Sequence, residues 1–139
     1  MSYDLAVFEP EAAPSSHGEF LEWYAAQTQW KEKHSYNDPK VSSLRLQSWL
    51  ADMFSDYPPM NGPSASAELP EDESRLADYS IGERIVYVGF AWSRARAAYE
   101  HVFQLAAKHR LGLIDVSSEN SEIWLPRDGE LGLASRNLR

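Results

Sequence analysis

The chain has 139 residues, with 13 Lys and Arg against 21 Asp and Glu, for a formal charge of -8. It contains no cysteine, which excludes disulfide scaffolds, thiol catalysis, Cys-ligated zinc and iron–sulfur clusters. A hydrophobic fraction of 43% with 12% aromatic residues supports one domain with a real core, and the acid excess argues against phosphate binding as its main task.

The opening segment Met1–Leu5 has no basic region and leads straight into a strand-like run, so no secretory signal is read there. Tyr3 to Phe8 alternates as a short strand, and Pro10 and Pro14 end it. Ser16-His17-Gly18-Glu19 matches a capping box, and Phe20, Trp23, Tyr24 and Gln27 give one face of a helix running to about Lys33. Asn37-Asp38-Pro39 is a turn signal. A second helix follows Ser42 or Ser43, because Leu46, Trp49, Leu50, Met53, Phe54 and Tyr57 recur with helical spacing. Pro58-Pro59 ends it. The connection from Pro58 to about Ala77 is long for a compact domain, and its second half is acidic.

Asp78–Ile81 and Ile85–Phe90 read as a hairpin around Gly82-Glu83-Arg84. The second of these strands is apolar on both faces, as a central strand is. The run Ile85 to Trp92 is the longest apolar one and falls well short of the about 20 residues a membrane-spanning helix needs. Ser93 is read as the cap of a third helix reaching His109, with Trp92, Ala95, Tyr99, Val102, Phe103 and Ala106 as its buried stripe. Gly112 reads as its breaker. Leu113–Val116 and Glu122–Leu125 complete the strands, and Pro126 is expected to stop the last one. Beyond it no apolar periodicity remains, which predicts a domain over 1–126 and a flexible C-terminal tail over 127–139.

The predicted order is β-α-α-β-β-α-β-β. Without the second helix and the last strand it becomes the split unit of ferredoxin-like folds, an α+β antiparallel sheet with helices mainly on one face. The first and third strands would then be central, in keeping with their apolar sequences.

No nucleophile elbow, phosphate loop or dinucleotide fingerprint occurs. No two of the histidines His17, His34, His101 and His109 stand at the spacing that lets a helix share an ion. No catalytic residue, metal or cofactor is therefore assigned. Asp78 and Asp115 fall at strand ends, where a carboxylate can face backbone amides; a turn cap is the simpler reading. In Pro58-Pro59-Met60-Asn61-Gly62-Pro63 a rigid loop could present Met60 as a contact, but a helix stop that packs Met60 over the core is favoured. Trp124 points opposite Ile123 and Leu125, which would place it on an open sheet face as a candidate interface.

Several strings together are familiar: Ser2-Tyr3-Asp4-Leu5 with Phe8-Glu9-Pro10, the 58–63 hexapeptide, Asp78-Tyr79-Ser80-Ile81-Gly82, Phe90-Ala91-Trp92-Ser93 and Ile123-Trp124-Leu125-Pro126. Over residues 2–126 the chain resembles a family of short acidic bacterial proteins, which look like the small partners encoded beside polymorphic or type VI-secreted toxins. The resemblance implies a cytoplasmic immunity protein that occludes a toxin's active site, and it carries over no functional residue.

An acidic chain would be steered to the basic cleft of a toxin that acts on nucleic acid or nucleotides. The predicted toxin-binding residues are Glu68, Glu71, Asp72, Glu73 and Asp78, opposed only by Arg75, together with Trp124. The expected partner is a cognate toxin domain, with no nucleic acid or membrane and a possible homodimer through the open face. The alternative is a small-ligand protein or enzyme using a cleft beside the 58–77 loop, with Tyr79, His34 and Asp78 as its polar groups.

Overall fold

A computed structural model of the chain describes residues 2–65 and 72–135. In chain order it has strand β1 (Tyr3–Phe8), helix α1 (His17–Gln27), helix α2 (Leu44–Asp56), strands β2 (Asp78–Ile81) and β3 (Ile85–Phe90), helix α3 (Ala95–Lys108), and strands β4 (Gly112–Ile114), β5 (Ile123–Arg127) and β6 (Glu130–Ser135). The six strands form one open antiparallel sheet in the order β2-β3-β1-β4-β5-β6. The architecture is α+β, with β3 and β1 among the inner strands as their apolar sequences require. No helix among the described residues is long and apolar enough to cross a membrane.

Both faces of the sheet are covered, which corrects the expectation of an open face. Leu5, Val7, Val86, Val88 and Leu113 face α2 and α3, packing with Leu46, Trp49, Leu50 and Met53 of α2 and Ala98, Val102 and Ala106 of α3. Ala6, Phe8, Ile85, Ile114 and Ile123 face the other way and pack on Phe20 of α1. The cause lies in β1 and β3, whose alternation leaves little polar surface on either side. The helices that share a face are α2 and α3; α1 is the additional one.

Local chemistry sets the helix ends. Ser16 accepts from the Glu19 amide at 3.2 Å, and Ser43 accepts from the Leu46 amide at 3.4 Å. α1 stops at Gln27 rather than near Lys33. The Thr28 hydroxyl donates back to the Tyr24 carbonyl at 2.9 Å, and Trp30 turns left-handed at φ 55°, which brings its ring edge-on to Tyr36 at 5.1 Å. Ser93 does not cap α3 but lies inside a single helical turn, Trp92–Arg94, that precedes it. At the other end of α3 the left-handed residue is Arg110, at φ 58°. Gly112 serves a different purpose: it pairs with Phe8 across β1–β4, and a Cβ there would stand 2.4 Å from the Phe8 ring. Only glycine lets that ring lie over the neighbouring strand.

The tail expectation is corrected over residues 127–135. Asp128 and Gly129 take φ 51° and 82°, the two positive values of a type I′ turn, and β6 folds back on β5. Pro126 does not stop β5. β4 reaches only Ile123 and Trp124, so beyond Trp124 no ladder bond on the β4 side needs the missing N–H. Residues 136–139 lie outside the described residues.

Leu131 is 8% exposed and joins the core beneath α3. Replacing it with Ala should destabilise the chain by about 2–3 kcal/mol in a denaturant titration, the lower end of the range for a buried leucine. A cost within about 0.5 kcal/mol, the surface range, would return this segment to a loosely held tail.

Candidate functional site

Of the predicted binding residues that are described, Glu73 and Asp78 line one depression, while Asp72 and Trp124 are engaged elsewhere. Glu68 and Glu71 lie outside the described residues. Asp72 is committed within the fold: it accepts from the Ser74 hydroxyl at 2.5 Å and amide at 3.1 Å and pairs with Arg94, and these contacts hold its carboxyl below the usual range. Glu73 and Asp78 are exposed. Trp124 is not on an open face; it lies on the α3 side, half-buried, with its ring 5.2 Å from that of Phe103 at 76°. The three polar groups of the ligand-binding alternative also diverge. Tyr79 is buried and donates to the Tyr57 carbonyl at 2.8 Å, Asp78 belongs to the opposite strand face, and His34 stands beside the β2–β3 turn.

Two acidic clusters act as tethers. A depression of about 530 Å³ is lined by Glu9, Glu11, Ser42, Ser43, Glu83 and Arg84 among others. Within it Glu9 accepts from the Ser43 hydroxyl and from Arg45 Nη2 at 2.5 Å, while Arg45 Nη1 donates to the Arg110 carbonyl at 3.1 Å. Glu9 thus joins the end of β1 to the start of α2, and Arg45 extends the link to the end of α3. The second cluster is Glu32, His34 and Glu83, whose donor atoms lie within 4.8 Å of one another and could hold a metal ion. His34 Nδ1 faces the Ser35 carbonyl at 2.8 Å and Nε2 faces Glu32 at 2.6 Å. Two acceptors favour the imidazolium, and the ring's pKa is raised by the Ser35 contact and by Glu32. A metal would first have to displace the Nε2 proton. Glu32 also accepts from the Glu83 amide at 3.1 Å, so the cluster pins the 28–38 segment to the β2–β3 turn.

The remaining candidate lies at the end of the sheet where β1 begins and β3 ends. Tyr3 pairs with Phe90, and the chain then turns out through Ala91 to Trp92. Trp92 is 50% exposed, with its ring 5.4 Å from that of Tyr3. On one side a depression of about 350 Å³ is lined by Ser2, Met60, Glu73, Asp78 and Ala91 among others. On the other a depression of about 420 Å³ is lined by Tyr3, Ala95, Arg96, Tyr99, Asp115 and Glu122. Met60 is 50% exposed, so it does not pack over the core. Its amide donates to the Ala77 carbonyl at 3.0 Å, and the Pro59–Ala77 bridge closes the base of the long connection. Gly62, at φ +91°, lies so close to Asn37 that a Cβ would stand 2.3 Å from its carbonyl oxygen. That contact ties this loop to the 37–38 turn.

Backbone geometry positions the acids here. The Asp4 amide donates to Ser117 Oγ at 2.9 Å, which straps the β4–β5 connection to β1. The Asp115 amide donates to the Glu122 carbonyl at 2.9 Å, so the two residues face each other at the mouth of that connection. Burial, together with the nearby Glu122 charge, raises the Asp115 pKa against the pull of the Ser117 and Ser118 amides, and its Oδ1 is buried without a hydrogen-bond partner. Burial with Asp115 and Glu122 pushes Tyr99 up to about 12, and burial with Asp115 pushes Tyr3 higher still, so both phenols are neutral. Among the described residues no ion pair involves Glu73, Asp78, Asp115 or Glu122.

Asp78 and Asp115 are therefore legible as strand-end carboxylates, whereas Tyr3 and Glu122 carry no signal of their own and Trp92 and Tyr99 both read as part of the buried stripe. The available signal was the spacing of Ala98, Val102 and Ala106, which sets the buried phase of α3 and leaves Trp92 off it. No protein-family model, curated protein or solved structure matches the chain.

The Asp115 environment makes a testable claim about stability. An acid whose folded pKa is raised contributes stability at low pH that is lost as the pH rises through the raised pKa. Asp115→Asn should therefore melt higher than the wild type at neutral pH, with the difference shrinking in acid. Thermal melts across that range decide it; an Asn variant less stable than the wild type at neutral pH would contradict the assigned electrostatics.

Proposed function

We propose that the chain is an immunity protein that binds a cognate secreted toxin domain through the sheet end around Trp92 and so covers the toxin's active site. The observation that carries this reading is a half-exposed tryptophan set on Tyr3, flanked by two depressions whose carboxylates have no cation of their own. Exposed aromatic anchors surrounded by uncompensated acids suit a basic protein surface. The overall charge of -8 would speed encounter with such a partner. Four of the strings that carry the family resemblance supply residues to this end, namely Ser2 and Tyr3, Met60, Asp78, and Phe90 to Trp92.

The same reading places the protein in the bacterial cytoplasm beside a type VI-type effector. It treats β2-β3-β1-β4 with α2 and α3 as a ferredoxin-like unit, extended by β5 and β6 and covered on its other face by α1. The binding surface moves from the 68–73 loop to the sheet end, with Glu73 and Asp78 kept at its margin.

Surface plasmon resonance with the toxin domain encoded by the neighbouring gene tests the proposal. Trp92→Ala should weaken binding about 30-fold or more, mainly through faster dissociation, as loss of a central aromatic anchor does. Paired Glu73→Lys and Asp78→Lys should slow association and reduce its salt dependence, with little change in melting temperature. Unchanged kinetics in both variants would remove this surface from the interface. A wild-type chain that binds no neighbouring gene product would overturn the immunity reading.

A further inference from the structure

We infer that His34, Glu32 and Glu83 form a site for one zinc ion, which clips the 28–38 segment to the turn between β2 and β3, at the end of the sheet opposite Trp92.

The three donor atoms lie within 4.8 Å of one another. Glu32 and His34 come from the connection that follows α1, and Glu83 from a turn 51 residues beyond Glu32. The imidazole supplies a second, independent observation. The Ser35 carbonyl can only accept, so His34 Nδ1, 2.8 Å from it, carries a proton. That leaves Nε2 as the one ring atom able to bind a metal, and Nε2 is the atom turned to the carboxylates, 2.6 Å from Glu32 Oε1. One ring nitrogen donating to a backbone carbonyl while the other faces the ion is the usual setting of a metal-ligating histidine. The carbonyl is not one of the three donors, so the acids alone do not set this orientation.

The carboxylates are supported in the same way. The Glu83 amide donates to Glu32 Oε1 at 3.1 Å, and the Tyr36 hydroxyl accepts from the Glu32 amide at 2.5 Å. The Tyr36 carbonyl in turn accepts from the Ile81 amide at 2.8 Å, and its ring lies 4.8 Å from the His34 ring. Both contacts on the Glu32 carboxylate fall on Oε1, and a carboxylate offers about four lone-pair sites, so room for an ion remains. Glu83 is exposed and takes part in no ion pair among the described residues. Two carboxylates and a neutral imidazole carry two negative charges, which one divalent ion balances. The ion takes the place of the proton between Nε2 and Glu32, and that proton leaves to solvent.

The other histidine–acid contacts differ. His109 shares Asp52 with Lys108, whose ammonium would repel a cation, and His101 meets Asp56 alone. The donor types select the metal, because imidazole with carboxylate suits zinc, whereas magnesium and calcium prefer oxygen ligands throughout. Two ligands at zinc distances on a tetrahedral ion stand about 3.3 Å apart, so the Nε2–Oε1 contact opens by less than about 1 Å, a side-chain rotation. Three protein donors leave the fourth position to water.

Calorimetric titration of the full chain with zinc chloride tests the site. One equivalent should bind with micromolar affinity, undisturbed by excess magnesium, and amide NMR should place the shifts at residues 31–36 and 82–84. His34→Ala and, independently, Glu83→Gln should each weaken binding about tenfold or more. Because Glu83 is exposed, Glu83→Gln should melt like the zinc-free wild type and lose the rise in melting temperature that zinc gives the wild type. No saturable binding at submillimolar zinc, shifts spread over the acidic surface, or full affinity in either variant would overturn the inference. None of these results bears on the partner-binding reading, which concerns the far end of the sheet.

Discussion

From Leu5 to Phe8 the strand β1 has no face that tolerates water: all four residues are fully buried. A strand of this kind must be covered twice, and the rest of the architecture answers that requirement. α2 and α3 close one side around Trp49, and α1 closes the other around Phe20. Phe8 has to reach across β4, so position 112 has no side chain. Glu9 ties the end of β1 to the start of α2, and Glu32 ties the 28–38 segment to the turn between β2 and β3. With both faces used in this way, Trp92 beside Tyr3 is the large aromatic left most exposed among the described residues.

Several acids meet cations: Glu9 meets Arg45, Asp56 meets His101, and Asp52 is held below its usual carboxyl range by Lys108 and His109. At the Tyr3 end, Asp115 and Glu122 face one another without a cation, and Asp115 moves the other way. Burial beside Glu122 makes ionised Asp115 a cost to the folded chain at neutral pH.

Much of the sheet was legible because strand alternation is a local signal. Tyr3–Phe8, Asp78–Ile81 and Ile85–Phe90 have the limits their sequences imply. The second helix was also clear, since its apolar stripe is unbroken from Leu46 to Met53. β6 was missed although Asp128-Gly129 is a type I′ hairpin signal; Glu130-Leu131-Gly132-Leu133 has weak strand propensity, and Pro126 suggested a stop. Trp92 reads as part of the α3 stripe but lies in the separate turn Trp92–Arg94 that precedes the helix. The tethers were not readable at all, because Glu32 meets a turn 51 residues away and Glu9 meets Arg45 across 36. The site suffered similarly: Asp115 and Glu122 were visible as acids, but their neighbourhood with Tyr3 depends on the fold of β1 against β4.

Hydrogen–deuterium exchange of the chain, free and bound to the toxin domain encoded beside it, bears most directly on the role assigned to the sheet end. Exchange should slow on binding at residues 2–4, 59–62, 89–96 and 115–122, and stay unchanged along α1 and the 82–84 turn. Protection confined to α1 or to that turn, with the Tyr3 and Trp92 segments unaffected, would contradict it.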